Sequence, residues 1–256
     1  MKQRLLIFVV CTSLLTITQN VQAQHPQIIH SFSSNDFTEN DYTTIREIMG
    51  NHKIIAARYQ HQILLALSYF PELKDARIKF RVKQTRTPLA SRPSWLSAFL
   101  PKKIRRYVIT ISDSSIKLLS PILLSKMDFN AQVGVLGHEI SHVADFSGKH
   151  TFGLLRIAAG NFSSKFLDKF EFKTDSICVA HGLGYQLLSW SIFVRREFHN
   201  KNYDGADNIE EPMRRERYMN PATIKYRIKN LAIYQKKTIL KSDLANPSDK
   251  TYTPPE

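Results

Sequence analysis

The sequence predicts an α+β fold that is mostly helical, with a small sheet beside one long apolar helix. Two segments have strand character, because residues 78–82 alternate apolar and polar side chains and residues 107–111 are rich in branched and aromatic ones. Apolar residues recur at helical spacing over residues 129–146, 165–180 and 185–198. We therefore expect the strand at 107–111 to lie beside the first of these helices, with a largely helical remainder.

Three further helices are expected from local signals. Apolar residues at near-helical spacing predict helices over residues 53–70 and 116–126. Asn220 followed by Pro221 has the pattern of a capping residue and a first-turn proline. We expect this last helix to run to residue 240.

The N-terminus has the organisation of an export signal. Lys2 and Arg4 precede an apolar stretch over residues 5–15, and small or polar residues follow to Ala23. We expect cleavage after Ala23, so that residues 1–23 are a signal peptide and the protein is periplasmic or secreted. An uncleaved N-terminal anchor is the alternative, but polar residues interrupt the apolar stretch before it reaches the roughly 20 residues of a membrane span.

The mature chain is expected to form one domain, residues 24–244, followed by a disordered tail at residues 245–256 that has little to pack. Prolines punctuate residues 87–101, which we interpret as an exposed loop or the wall of a cleft. Residues 151–163 contain glycine and are expected to be a mobile connection. Cys178 is the only cysteine after the leader, so no internal disulfide can form, and its apolar neighbours predict a buried thiol.

The chain is strongly basic. Its formal charge is +14, and loss of Lys2 and Arg4 with the leader gives 14 − 2 = +12 for the mature protein. A field of this size attracts anionic lipid at a membrane surface, polysaccharide or acidic peptides. A nucleic-acid partner is disfavoured, because the sequence has an export signal and lacks the aromatic-basic motif of a known nucleic-acid-binding module.

A short motif on the predicted helix at 129–146 carries the chemistry. His138 and His142 are four residues apart, which places two imidazoles on one helix face at the spacing a zinc ion needs. Glu139 flanks the same site and can deprotonate a zinc-bound water. Gly134 and Gly137 weaken the helix, so we expect them to permit close backbone packing beside the metal.

A third ligand is expected downstream, because catalytic zinc commonly has three protein ligands. Position 148 is glycine, which excludes the class whose third ligand is a histidine six residues after the second. Asp145 and His150 do not lie where a known continuation of the motif needs a ligand. Glu171 and Asp175 lie one turn apart on another predicted helix. Glu171 can complete the coordination, and Asp175 can accept the free N–H of a ligand histidine.

These motifs resemble the HtpX-like and CaaX-prenyl-protease-like gluzincin peptidases. The resemblance covers roughly residues 50–235 and rests on residues 134–145, on 171–175, and on 218–221 with Arg227-Ile228. It implies a zincin fold and peptide hydrolysis with one zinc ion per chain. It also implies that His138, His142 and Glu171 are the ligands and Glu139 the catalytic base.

The sequence departs from this family in two respects. Membrane members have several spans, whereas we expect no stretch after the leader to reach the length of one. Members often have His-Pro near the last helix, where the histidine can steady the oxyanion, and here that dipeptide is Asn220-Pro221. Tyr218, Asn220 and Arg217 are then the candidate oxyanion donors, and His181 is a weaker one.

The sequence therefore predicts an exported zinc-dependent endopeptidase that acts on a peptide or protein substrate through a zinc-bound water activated by Glu139. We expect an extended substrate to pair with an edge strand, and residues 107–111, just before the motif helix, are the candidate. The alternative is a zinc-stabilised chaperone or binding protein with an inactive peptidase fold. It is disfavoured because three ligands leave the fourth position open to water. The sequence predicts no particular oligomeric state.

Overall fold

The computed structural model describes residues 27–160, 162–199 and 217–235. The predicted signal peptide and tail lie outside these residues. The helices described are α1 (Glu39–Met49), α2 (Gln60–Ser68), α3 (Phe129–Gly148), α4 (Thr151–Gly160), α5 (Ser164–Cys178), α6 (Gly184–His199), α7 (Pro221–Asn230) and α8 (Ala232–Gln235). The strands described are β1 (Lys53–Ile54), β2 (Arg77–Val82), β3 (Leu89–Pro93) and β4 (Arg106–Ile111). The predicted α+β class is confirmed.

Within the described residues the strands form one mixed sheet in the order β1-β2-β4-β3. β2 is parallel to both β1 and β4, and β3 is antiparallel to β4. Ile78 and Phe80 of β2 and Ile109 and Ile111 of β4 are buried in the core, where their burial stabilises the sheet against the helices. The two predicted strands are confirmed.

The proline-rich segment at 87–101 is not only a loop. It contains β3, whose hydrogen-bonding partner is β4 on one side alone. Proline is tolerated in such an edge strand, because its missing N–H can lie on the unpaired side. β4 is paired on both sides, so the expectation that residues 107–111 offer an edge to a substrate was wrong. β3 is the edge strand nearest the motif.

Four secondary-structure predictions need correction. The last helix, expected to run from Pro221 to residue 240, is interrupted at Leu231, which separates α7 from α8, and residues 236–240 lie outside the described residues. The helix expected over 53–70 begins as β1 and a 3-10 turn, and α2 starts only at Gln60. Residues 116–126 contain two 3-10 turns instead of an α-helix, and Pro121 lies in the first, where it lacks the N–H that a continuous helix needs. The connection expected at 151–163 contains α4, which buries Leu154 and Ile157.

The helix that carries the motif lies at the centre of the protein. α3 packs against α2, α5, α6 and β3, and most of its residues are buried. A Cβ on Gly134 would lie 2.1 Å from the backbone oxygen of Gln186 in α6. A Cβ on Gly137 would lie 2.5 Å from Leu183 Cδ1 and 3.2 Å from Cys178 Sγ. The expected close backbone packing is confirmed at Gly134, whereas Gly137 packs against side chains. The predicted burial of the Cys178 thiol is also confirmed.

α5 and α6 are joined without a loop. The π-helical turn Val179–Leu183 connects them, and Gly182 adopts φ +98° there, a backbone conformation that favours glycine. The continuous helical stretch Ser164–Phe198 is 35 residues long and, by length and composition, could cross a membrane. The expectation that no stretch after the leader reaches the length of a membrane span was therefore wrong. Half of its most apolar window is buried inside the protein.

Replacing Gly134 with Ala is expected to destabilise the fold by about 1–3 kcal/mol, because the new methyl group meets the backbone of α6 and not a side chain that can rotate away. Gly148→Ala is the matched control, since a Cβ at that end of α3 has no atom within 4 Å. We expect the control to change stability by no more than about 1 kcal/mol. Denaturant unfolding of both variants measures the difference, and equal effects would contradict this account of the packing.

Candidate metal centre

α3 and α5 bring three potential metal ligands together. The Nε2 atoms of His138 and His142 each lie 3.2 Å from Oε2 of Glu171. All three ligand atoms lie within 4.8 Å of one another, and the two histidines are only 2% and 6% exposed. This group could hold a metal ion.

The hydrogen bonds of His138 determine its tautomer, and therefore which ring nitrogen has a free lone pair for a metal ion. Nδ1 lies 2.7 Å from Oδ1 of Asp175, and the backbone N–H of Met219 donates to the other carboxylate oxygen at 2.7 Å. An ionised carboxylate only accepts, so Nδ1 of His138 must donate the proton. In the neutral imidazole Nε2 is then unprotonated and directs its lone pair toward Glu171.

His142 has the same tautomer as His138 because of Thr174, a residue that was not predicted from the sequence. Nδ1 of His142 lies 3.1 Å from Oγ1 of Thr174, and this hydroxyl donates its single proton to the backbone oxygen of Phe170 at 3.0 Å. Oγ1 must therefore accept from Nδ1–H, which leaves Nε2 unprotonated in the neutral ring. The sequence could have indicated this role, because Thr174 is three residues after Glu171 and lies on the same face of the helix.

The cluster is suited to a cation. Oε2 of Glu171 is buried and has no hydrogen-bond partner within the described chain, although both imidazoles lie within ion-pair distance of it. Three potential ligand atoms thus lie close together. Zinc ligands at about 2.0–2.1 Å in a tetrahedral arrangement lie about 3.3 Å apart, which is close to the two nitrogen–oxygen separations of 3.2 Å found here.

The electrostatics of the cluster also favour positive charge. Burial alone would lower the pKa of His138, but its hydrogen bonds and charge interactions with Asp175 and Glu171 raise that pKa well above its ordinary value. Burial alone would raise the pKa of Glu171, and the two histidines hold it well below the ordinary range. The carboxylates therefore stabilise a positive charge at this point, whether it is a proton or a metal cation.

The other candidate donors lie elsewhere. Asp145 pairs with Lys149 and with Lys173, whose Nζ lies 2.6 Å away, and His150 is exposed beyond the end of α3. Burial alone would raise the pKa of Asp145, but the two lysines lower it below its ordinary value. Neither residue belongs to the group around His138.

His138 places the candidate metal centre beside a large cavity. Its volume is about 720 Å³, and His138 and Glu139 lie on its wall. Oε2 of Glu139 is buried and, among the residues described, has no hydrogen-bond partner. Much of the remaining wall is apolar: Leu89, Leu119, Ile122, Met127, Val135, Trp190, Val194 and Phe198. Glu139 thus offers a carboxylate oxygen without a described partner beside the potential metal ligands, on the wall of a cavity that could hold a substrate.

Two of the candidate oxyanion donors reach this cavity. Tyr218 lines it, with its ring centroid 5.7 Å from that of His138. Burial, with the charges of Glu171, Glu139 and Asp175, raises the pKa of Tyr218 well above its ordinary value. Its hydroxyl therefore stays protonated and able to donate. Arg217 also lines the cavity, and its Nε donates to Asp168 at 2.9 Å.

The other two candidates have structural roles. Asn220 is the N-cap of α7, where its side-chain oxygen accepts from the N–H of Thr223 at 2.8 Å, and it is not among the residues that line the cavity. His181 lies 2.9 Å from Oε1 of Glu72 and stacks on Phe70. The capping role expected of Asn220 is confirmed, but the structure does not bring Asn220 to the cavity that His138 and Glu139 line.

Comparison of the chain with protein-family models, curated proteins and solved structures finds no match. A fold class alone does not define an activity, since one architecture can carry many chemistries. Function is therefore inferred from the cluster and the cavity.

Proposed function

We propose that this protein is an exported zinc-dependent endopeptidase. The observation that carries the proposal is the grouping of two imidazoles and one carboxylate within 4.8 Å of one another, beside a cavity that His138 and Glu139 line. Two histidines and one glutamate are a donor set of catalytic zinc, in which the fourth position stays open for water or substrate. A structural zinc site would close that position with a fourth protein ligand.

The donor set narrows the choice of metal. Calcium and magnesium prefer sites made of oxygen ligands, so two imidazoles argue against them. Two histidines and one carboxylate also suit non-haem iron, which is the competing metal. Glu139 favours zinc, because a buried carboxylate next to the ligands is the general base that hydrolysis needs.

The residues around the cavity would divide the hydrolytic work. When bound, zinc would lower the pKa of a coordinated water toward neutrality. Glu139 would accept a proton from the attacking water and pass it to the leaving amine. Tyr218 would donate a hydrogen bond to the substrate carbonyl oxygen as negative charge develops there. Asp175 and Thr174 would hold the two ligand imidazoles in the required tautomers.

An extended peptide would be held along β3. Pro88 and Ser94 form backbone hydrogen bonds with the β4 side, so by the alternation of an antiparallel pair Leu89 and Ser91 direct their backbone polar groups to the unpaired edge. Leu89 lines the cavity, and Oγ of Ser91 donates to the backbone oxygen of Glu139 at 2.9 Å. Strand addition at this edge would place a scissile bond beside Glu139.

Metal analysis combined with a screen of quenched fluorescent peptides tests the proposal. We expect about one zinc ion per chain, hydrolysis that a chelator abolishes, and recovery on adding zinc but not iron. Absence of zinc after zinc-replete purification, or hydrolysis that survives complete metal removal, would contradict the proposal. Stoichiometric zinc without cleavage of any peptide in the screen would favour the zinc-stabilised binding protein instead.

A further inference from the structure

A set of large apolar side chains lies exposed away from the cavity. They come from the segment 95–104, which joins β3 to β4, and from α4. Their exposed fractions are 77% for Trp95, 77% for Leu96, 59% for Phe99, 43% for Ile104, 80% for Phe152 and 47% for Leu155. We call these six residues the apolar patch. Exposed apolar side chains that lie together on one surface mark an interaction site.

The two segments are joined into one surface. Oγ1 of Thr151, at the start of α4, donates to the backbone oxygen of Ala98 at 3.2 Å. Arg105 is buried between the segments, and its guanidinium donates to the backbone oxygens of Lys149 at 2.8 Å and Leu100 at 3.2 Å. The two segments that carry the patch residues are therefore held next to each other by the fold.

α4 has apolar residues on both of its faces. Leu154 and Ile157 are buried against the protein, while Phe152 and Leu155 are exposed. Arg156 is the only charged residue of this helix. A helix on a water-facing surface is normally polar on its outer face, so the outer face of α4 is suited to an apolar surrounding.

Within the two segments that carry the patch, every charged residue is basic. The sequence has no Asp or Glu between Asp75 and Asp113, and none between Asp145 and Asp168. Lys102, Lys103 and Arg156 are exposed in the same two segments as the patch residues. Such a surface is complementary to an anionic one. It opposes pairing with a second copy of itself, because a symmetric contact would bring like charges together.

We propose that the apolar patch docks this protein on an anionic lipid surface. Trp95, Phe99 and Phe152 would enter the interfacial layer, where aromatic side chains are enriched, and Lys102, Lys103 and Arg156 would contact the lipid phosphates. β3 connects the cavity at Leu89 to the patch and is about 17 Å long at about 3.4 Å per residue. Docking would thus hold the cavity close to the membrane. The surface itself does not depend on the proposed hydrolysis.

Vesicle co-sedimentation of the mature chain, residues 24–256, tests the charge component. We expect binding to vesicles of phosphatidylglycerol and phosphatidylcholine, and little to phosphatidylcholine alone. Lys103→Glu with Arg156→Glu should lower the partition coefficient at least about 30-fold, since each basic residue near the surface contributes about one factor of five. Lys225→Glu with Lys229→Glu makes the same change in net charge on exposed positions of α7, and should retain binding within about threefold.

The aromatic component is tested separately. Trp95→Ser should weaken vesicle binding about tenfold, whereas Tyr226→Ser, which removes a 69% exposed aromatic ring from α7, should leave it unchanged. The wild type should show a blue shift of tryptophan emission on anionic vesicles, and Trp95→Phe should retain binding and lose that shift. Equal binding to neutral and anionic vesicles, or equal losses in the patch and α7 variants, would overturn the proposal. So would patch variants that change only self-association.

Discussion

Glu139→Gln is expected to lower peptide hydrolysis about 10²–10⁴-fold and to leave the bound zinc in place. The substitution keeps the size of the side chain but removes its ability to accept a proton at neutral pH. The metal should remain, because the clustered ligand atoms belong to His138, His142 and Glu171. Steady-state kinetics on the best peptide substrate, with metal content measured on the same preparation, gives both quantities.

Glu47→Gln is the matched control for this experiment. Glu47 is exposed on α1, so the same chemical change there should alter neither hydrolysis nor zinc content. Wild-type turnover in Glu139→Gln would exclude Glu139 as the base. Loss of zinc together with activity would show that Glu139 supports the metal site and would leave the identity of the base open.

The two helices that carry the candidate metal ligands could be predicted because apolar residues recur along each of them at helical spacing. Buried positions recur along α3 and α5 at helical spacing, so His138 and His142 share one face and Glu171 and Asp175 share another. The bounds of both helices agree with the prediction to within two residues. Periodicity also placed α6, since its apolar residues face the same core.

Other features depend on contacts that leave no local pattern. β3 contains no β-branched or aromatic residue and ends in proline, so it does not resemble a strand in the sequence, and its pairing with β4 makes it one. α4 contains two glycines and was expected to be mobile, but burial of Leu154 and Ile157 outweighs their low helix propensity. The order of the sheet is likewise set by packing, and the edge strand was misassigned for that reason.

Of the two residues that hydrogen-bond to the candidate ligand histidines, one could be predicted from the sequence and one could not. Asp175 was predicted to accept from one of the two histidines, because a carboxylate commonly orients a ligand imidazole, and the structure shows that this histidine is His138. The role of Thr174 toward His142 was not, since a threonine in a helix usually bonds only to its own backbone. Thr174 does so here with Phe170, and that bond is what makes its oxygen an acceptor for His142.

Glu171→Ala is expected to remove most of the bound zinc. Its Oε2 atom lies 3.2 Å from the Nε2 atom of each imidazole, so alanine leaves two of the three candidate ligands. Asp145→Ala is the matched control, because Asp145 is an acidic side chain on α3 that pairs with lysines outside the cluster. It should keep its zinc. Loss of zinc from Asp145→Ala and not from Glu171→Ala would refute the ligand assignment.

Variants of the two supporting residues should give a smaller, graded effect in the same measurement. Asp175→Ala and Thr174→Val each leave one imidazole N–H without its acceptor, and we expect zinc affinity to fall about 10- to 100-fold in each, measured by competition with a chelator. Thr174→Ser keeps the hydroxyl and should retain near wild-type affinity. Because these residues orient ligands and do not supply them, full zinc loss in either variant would place the residue among the ligands. Unchanged affinity in both would mean that the imidazoles need no outside support.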